Sequence, residues 1–278
     1  MTSTQHIGLL MTYNEEDIIQ ETLSHNSQFF DAIYALDGST DKTADIIRSF
    51  DVVKSLIKDQ DLYPKRTIKD GVRQFLLEKA QAEYGYEGWF TLLHGDELLV
   101  DDPRKIAAKA DRQKAERINW RPLNFFLHTS QKDSYTAETP ITKEVLFYEP
   151  GVNLEIRQFK NKKGIFYDLN QHNNLVPHGI SWKPLFDFPI FRHYVVRSVK
   201  QFESRLYNAS QSYNGFNNSS DKQDIQHPEA FDYNHIFRDH LFTSSKQVRK
   251  FDGDYQEFCP FKRPHFFKQY LDFHKYRA

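Results

Sequence analysis

Two apolar runs, Ile7 to Met11 and Ala32 to Leu36, each break off into a polar cluster that opens a helix-like pattern. The first cluster is Tyr13-Asn14-Glu15-Glu16; the second is Asp37-Gly38-Ser39-Thr40-Asp41-Lys42-Thr43. Short apolar runs of this kind read as buried strands. Strands that pass straight into helical periodicity make βα units, and βα units in series make a parallel sheet with helical crossovers. Ligands of open α/β sheets bind beyond the carboxyl ends of the strands, which is where both clusters fall. A third run, Trp89 to Leu93, ends in His94-Gly95-Asp96-Glu97 and brings carboxylates to the same edge. Three strand ends carrying acidic groups point to a nucleotide-plus-metal site.

The βα rhythm covers the first 116 residues. Ile18, Ile19, Thr22 and Leu23 mark the apolar face of a helix that Asn14 can cap. Ile46, Ile47 and Phe50 mark a second, with its start among Ser39, Thr40 and Asp41. Val52 to Ile57 reads as a third strand and Lys58 to Ile68 as a loop. Val72, Phe75, Leu76 and Ala80 fall at helical spacing, and Pro103 sits at a first helical turn. From residue 117 to 212 the runs are shorter: Ile118 to Leu127, Val145 to Tyr148, Leu154 to Phe159 and Pro189 to Val196 read as strands of an acceptor-side half. Residues 213–278 hold a loop-like stretch, Asn214 to Asp224, and then a tail, Phe258 to Tyr276, that mixes aromatics with basic residues. That tail either packs as a helix on the domain or lies on an anionic membrane surface.

Charge excludes some partners. With 37 basic against 38 acidic residues and a net charge of −1, no global field favours nucleic acid. Cys259 is the only cysteine, so no intrachain disulfide forms. The apolar run near the start is too short for a signal peptide, and no stretch is long enough to span a bilayer. A cytoplasmic protein is the expectation, with peripheral membrane contact through the tail as the alternative.

The four segments Tyr13 to Glu16, Asp37 to Thr43, Arg73 to Ala80 and Trp89 to Leu98 resemble the family 2 glycosyltransferases, in order and spacing. The second half resembles a subgroup that acts on lipopolysaccharide cores, through Arg157-Gln158-Phe159, the His172 region, His193-Tyr194 and Arg197-Ser198. The resemblance implies the GT-A fold, a Rossmann-like α/β architecture with a mainly parallel sheet and helices on both faces. It also implies a nucleotide-sugar donor with a UDP or GDP carrier, a glycan or glycolipid acceptor, and inverting, metal-dependent transfer using Mn²⁺ or Mg²⁺.

The residues carry their own chemistry beside that resemblance. Asp37 at a strand end can accept hydrogen bonds from a base and a ribose, or it can merely cap the next helix. Tyr13 and Gly38 share the nucleotide-side motifs. Asn14 and Glu15 either contact the nucleotide or form a helix cap and first turn. Asp96 is the expected metal ligand, since a departing diphosphate needs a hard cation. The family's Asp-x-Asp triad reads His94-Gly95-Asp96 here. His94 therefore binds metal or ribose, or else it is a solvent-facing strand end. His193 is the expected second ligand; its alternative is a packed strand histidine. Arg73 meets a phosphate, whereas Lys65 and Arg66 more often just solvate a surface. The subgroup places a Glu after the position of His172, where this chain has Asn173. Asp168 is the nearest substitute base, with Glu155 and Glu97 behind it, each with a surface carboxylate as its alternative; Glu97 also reads as a carboxylate that supports the metal ligand or fixes the loop. Two other readings stay open: a non-catalytic nucleotide- or glycan-binding protein, and a sugar-nucleotide nucleotidyltransferase.

Overall fold

The computed structural model describes residues 4–59, 71–131, 140–151, 154–168, 177–198, 201, 242–243 and 249–252. The Asn214 to Asp224 loop, the Phe258 to Tyr276 tail, Lys65, Arg66, His172, Asn173 and Cys259 lie outside these residues.

Four strands form the parallel part of the sheet: β1 (His6–Thr12), β2 (Ala32–Asp37), β3 (Val53–Lys58) and β4 (Trp89–His94). Their spatial order is β4-β1-β2-β3, so the chain reverses direction across the sheet at β1. Alternation along β1 explains the two layers. Ile7, Leu9 and Met11 pack on one face with Val72, Leu76 and Ala80 of α3 (Gly71–Tyr84). Leu10 packs on the other with Ile19 and Leu23 of α1 (Ile19–Asn26), Ile47 of α2 (Thr43–Arg48), and Ala107 and Ala110 of α4 (Pro103–Arg112). Helices on both faces of this sheet establish the Rossmann-like α/β class.

Beyond β4 the sheet turns mixed. β8 (Glu155–Lys160) pairs antiparallel with β4 and with the long β6 (Arg117–His128). β7 (Phe147–Pro150) pairs antiparallel with β6. β10 (Ile190–Val196) runs parallel to β6 and antiparallel to β5 (Glu97–Leu99). The short strands β9 (Pro184–Leu185) and β11 (Phe242–Thr243) also join β6, and β12 (Arg249–Lys250) joins β7. No helix among the described residues is long and apolar enough to cross a membrane.

Several local expectations are corrected. α1 starts at Ile19 with no side-chain cap, so Asn14 does not cap it. α2 starts at Thr43 rather than among residues 39–41; Asp41 Oδ1 accepts from the Thr43 N–H at 2.9 Å and turns the chain into the helix. Phe75 is 39% exposed, because Leu76 and Leu77 fill the face of α3 that meets the sheet. Val145 is not in a strand; it follows the single turn α5 (Ile141–Glu144), whose first N–H groups bond the Glu21 carboxylate at 2.8 and 3.0 Å. Pro103 does open its helix, and Asp102 caps it at 2.8 Å from the Arg104 N–H.

His6 links this packing to pH. Burial, then the Arg104 charge, lower its pKa from 6.5 to about 4. The folded value lies below the unfolded one, so the unfolded chain takes up the proton first as pH falls. The stability from neutral His6 is complete above about pH 6.5 and drains away towards pH 4. At pH 5 the loss is about 2 kcal/mol. Urea unfolding of His6→Leu at pH 7 and pH 5 should show a drop smaller than wild type by about that amount; an equal drop would remove His6 from the acid response.

Candidate active site at the carboxyl edge of the sheet

Register brings the three polar strand ends level. Across β1, Thr12 pairs with Asp37 of β2 and Met11 with His94 of β4. Asp37 is fully buried; its Oδ1 accepts from Thr12 Oγ1 at 2.8 Å and Ser39 Oγ at 2.5 Å. Its Oδ2 is buried and meets no hydrogen-bond partner among the described residues. A carboxylate oxygen in that condition is costly unless a ligand donor completes it. Asp37 does not serve as a helix cap.

The first two clusters hold each other. Asn14 has a left-handed backbone (φ 55°), which Asn tolerates better than most residues. Its N–H donates to Ser39 Oγ at 2.7 Å, and its Oδ1 accepts from the Thr40 N–H at 2.9 Å. The Glu15 N–H donates to Thr43 Oγ1 at 2.8 Å and the Glu16 N–H to Asp41 Oδ2 at 3.3 Å. Gly38 donates to the Thr12 carbonyl at 3.1 Å. The β1–α1 and β2–α2 loops are therefore one stitched unit, a pairing that neither cluster announces on its own. The Tyr13 backbone belongs to this loop.

The third cluster is bound to two buried guanidinium groups. Arg157 Nη2 donates to Glu97 Oε1 at 2.5 Å and pairs with Glu155 Oε2 at 2.5 Å. Its Nη1 lies 3.2 Å from His94 Nδ1 and 3.1 Å from Nε2, while His94 Nδ1 sits 3.1 Å from Glu97 Oε1. Burial works against the Glu97 charge, yet Arg157 and His94 hold its carboxyl below the ordinary range. Arg197 is fully buried; it pairs with Glu15, with Asp17 Oδ1 at 2.9 Å and Oδ2 at 3.0 Å, and with Asp96 Oδ2 at 3.4 Å. Its pKa is raised, because these three carboxylates outweigh its burial.

His193 stands beside Asp96. The Tyr194 N–H donates to the Asp96 carbonyl at 3.0 Å, and His193 Nε2 lies 3.5 Å from Asp96 Oδ2. Burial lowers the His193 pKa, but the Asp96 carboxylate more than reverses this and leaves it raised. The ligand atoms of His94, Asp96 and Glu97 also lie within 4.8 Å of one another. Arg157 already covers Glu97 and both ring nitrogens of His94, so a cation shared by all three would lie against a guanidinium. Asp96 Oδ2 and His193 Nε2 lie at a spacing that two ligands of one ion adopt with bonds of about 2.0–2.3 Å, and the same Oδ2 faces Arg197 Nη1 at 3.4 Å.

Arg73 is buried in the first turn of α3, where burial of nearby Tyr167 raises its phenol pKa and the Arg73 charge acts the other way. Asp168 follows a segment that climbs α3. Asn161 accepts from Gln81 at 2.9 Å and the Tyr167 N–H reaches Gln74 at 2.6 Å, so Asp168 arrives at the α3 start, the end nearer the ligand edge. Sequence reasoning assigned no role to Arg157, Arg197, Asp17 or Thr12. The stretch Glu155-Ile156-Arg157-Gln158-Phe159 is largely polar, so nothing in it marks Arg157 as a buried cation.

No family model matches the chain. No curated protein matches it either. Among solved structures, one described as a glucose-1-phosphate thymidylyltransferase from Bacillus anthracis, in complex with a sucrose, aligns over 56% of this chain and 69% of its own at 10% identity and TM-score 0.30. The 4-diphosphocytidyl-2C-methyl-D-erythritol synthase of Anaerococcus prevotii aligns over 57% of this chain and 72% of its own at 14% identity and TM-score 0.30. Superposition is loose in both cases, so the fold class rests on strand order and register.

Gly95 lets the turn after β4 close on the first loop. A Cβ there would meet Glu15 Cγ at 2.8 Å and Thr12 Cγ2 at 3.0 Å, and Arg197 keeps Glu15 from yielding. Gly95→Ala should cost about 1–3 kcal/mol in urea unfolding. A wild-type midpoint would mean that the turn and the loop separate freely.

Proposed function

We propose that this protein is a nucleotide-sugar-dependent glycosyltransferase that passes a sugar from a UDP- or GDP-linked donor to a glycan or glycolipid hydroxyl. The observation that carries the reading is the buried, unpartnered Asp37 Oδ2, level across β1 with the His94–Glu97 turn. Asp37 accepts hydrogen bonds from the base or ribose, with Tyr13, Gly38 and the stitched loop framing that subsite. Asp96 and His193 hold Mn²⁺ or Mg²⁺, a cation that offsets charge on the departing diphosphate. Arg73 faces the phosphate side. His94 is braced by Glu97 and Arg157 rather than free to ligate, and it borders the ribose side. Glu97, only 2% exposed and bonded to Arg157, is a brace and not a base. Asp168 is the proposed proton acceptor.

The nucleotidyltransferase reading is favoured by the names of the two similar structures, yet the first loop argues against it. Such an enzyme needs a Gly-rich phosphate loop after the first strand. Here the N–H groups of Asn14, Glu15 and Glu16 are spent on Ser39, Thr43 and Asp41. Two assays separate the readings: release of UDP or GDP from nucleotide sugars, and release of pyrophosphate from a nucleoside triphosphate plus a sugar phosphate. Only the first should give turnover.

Two substitutions test the subsites. Asp37→Ala should weaken nucleotide binding by about 1 kcal/mol or more in calorimetric titration, without unfolding the protein. Unchanged affinity removes Asp37 from the site. Asp96→Asn keeps the shape but not the charge, so turnover should collapse and nucleotide affinity should become independent of metal. Full wild-type activity in EDTA would overturn the metal assignment.

A further inference from the structure

Arg197 lies directly after β10 and 182 residues from Glu15, yet it is completely buried. Its three nitrogens reach three carboxylates on two segments: Glu15 and Asp17 in the loop after β1, and Asp96 in the turn after β4. The loop half of this knot is tied by backbone hydrogen bonds to Ser39, Thr43 and Asp41, and so to the Asp37 subsite. The turn half carries the carboxylate that faces His193 at 3.5 Å. A planar, permanently charged fork can hold several carboxylates at fixed angles, whereas a single ammonium cannot. Three carboxylates this close would otherwise repel and splay, and Asp96, the least exposed of them, is the one that also faces His193.

We propose that Arg197 is a positioning residue that couples the nucleotide loop to Asp96, so that nucleotide and divalent cation bind cooperatively. The inference rests on the donor reading above and adds the device that joins its two subsites. The Arg197 guanidinium touches neither ligand. It sets the distance between the loop that receives the nucleotide and the carboxylate that receives the ion.

The test is calorimetric titration of UDP and GDP, each with EDTA and with Mn²⁺, on wild type, Arg197→Lys and Arg197→Met. Coupling of this kind is on the order of tenfold in wild type, as tighter binding of one nucleotide with Mn²⁺. Arg197→Lys keeps the charge and should fold, as judged by circular dichroism and thermal melting. Its affinity in EDTA should stay near wild type while the Mn²⁺ enhancement falls below about threefold. A purely structural role would lower both affinities together. Arg197→Met should lose the enhancement outright; if it does not fold, Arg197→Lys decides. A folded Arg197→Lys protein with the full wild-type enhancement overturns the role of Arg197 alone. Wild type that binds neither nucleotide removes the donor reading, and the inference with it.

Discussion

Two buried guanidinium groups hold five carboxylates at one edge of the sheet. Arg197 gathers Glu15, Asp17 and Asp96; Arg157 gathers Glu97 and Glu155. Charges taken out of water cost several kcal/mol each unless partners surround them, and a buried pair that loses one member is destabilised by about 3–5 kcal/mol. Such contacts add little net stability over apolar packing of the same volume. Their effect is on geometry, because only one arrangement of the loops satisfies every charge. Both arginines come from the second half of the chain, while Glu15, Asp17, Asp96 and Glu97 come from the first. The acidic edge is therefore assembled only when both halves are in place.

Behind that edge lies the strand register. Pairing of Thr12 with Asp37 and of Met11 with His94 sets the three polar ends at one height. A slip of one residue would turn Asp37 or His94 to the opposite face and leave its carboxylate or imidazole against a helix. The apolar alternation of β1, shared between two cores, resists that slip. Core packing thus determines where the chemistry sits, and the arginines determine how the groups there face one another.

Much of this could be read from residues in order. The βα rhythm, the third strand, the helix opened by Pro103 and the positions of Asp37 and Asp96 at strand ends all follow from local pattern, whereas His193 lies within β10 rather than at its end. The readings that needed correction share a cause. Asn14 looks like a helix cap because Asn caps helices, yet its side chain serves the neighbouring loop at Thr40. Phe75 fits the helical period, but the sheet beneath α3 has room only for Leu76 and Leu77 on that flank. The arginine 60 residues away that bonds Glu97 is likewise invisible from the His94–Glu97 stretch alone.

The sequence by itself determined the α/β class, the succession of its first four strands along the chain and the edge on which polar groups collect. Hydrophobic periodicity is a local property, and local periodicity is enough to choose helix, strand and facing side. Only the tertiary structure decided which carboxylates are neutralised, that Asp37 Oδ2 meets no hydrogen-bond partner among the described residues, and that His193 meets Asp96. Those outcomes depend on contacts between strands and loops 25 to 182 residues apart, whose relative positions come from register and packing and leave no mark on any short stretch of chain.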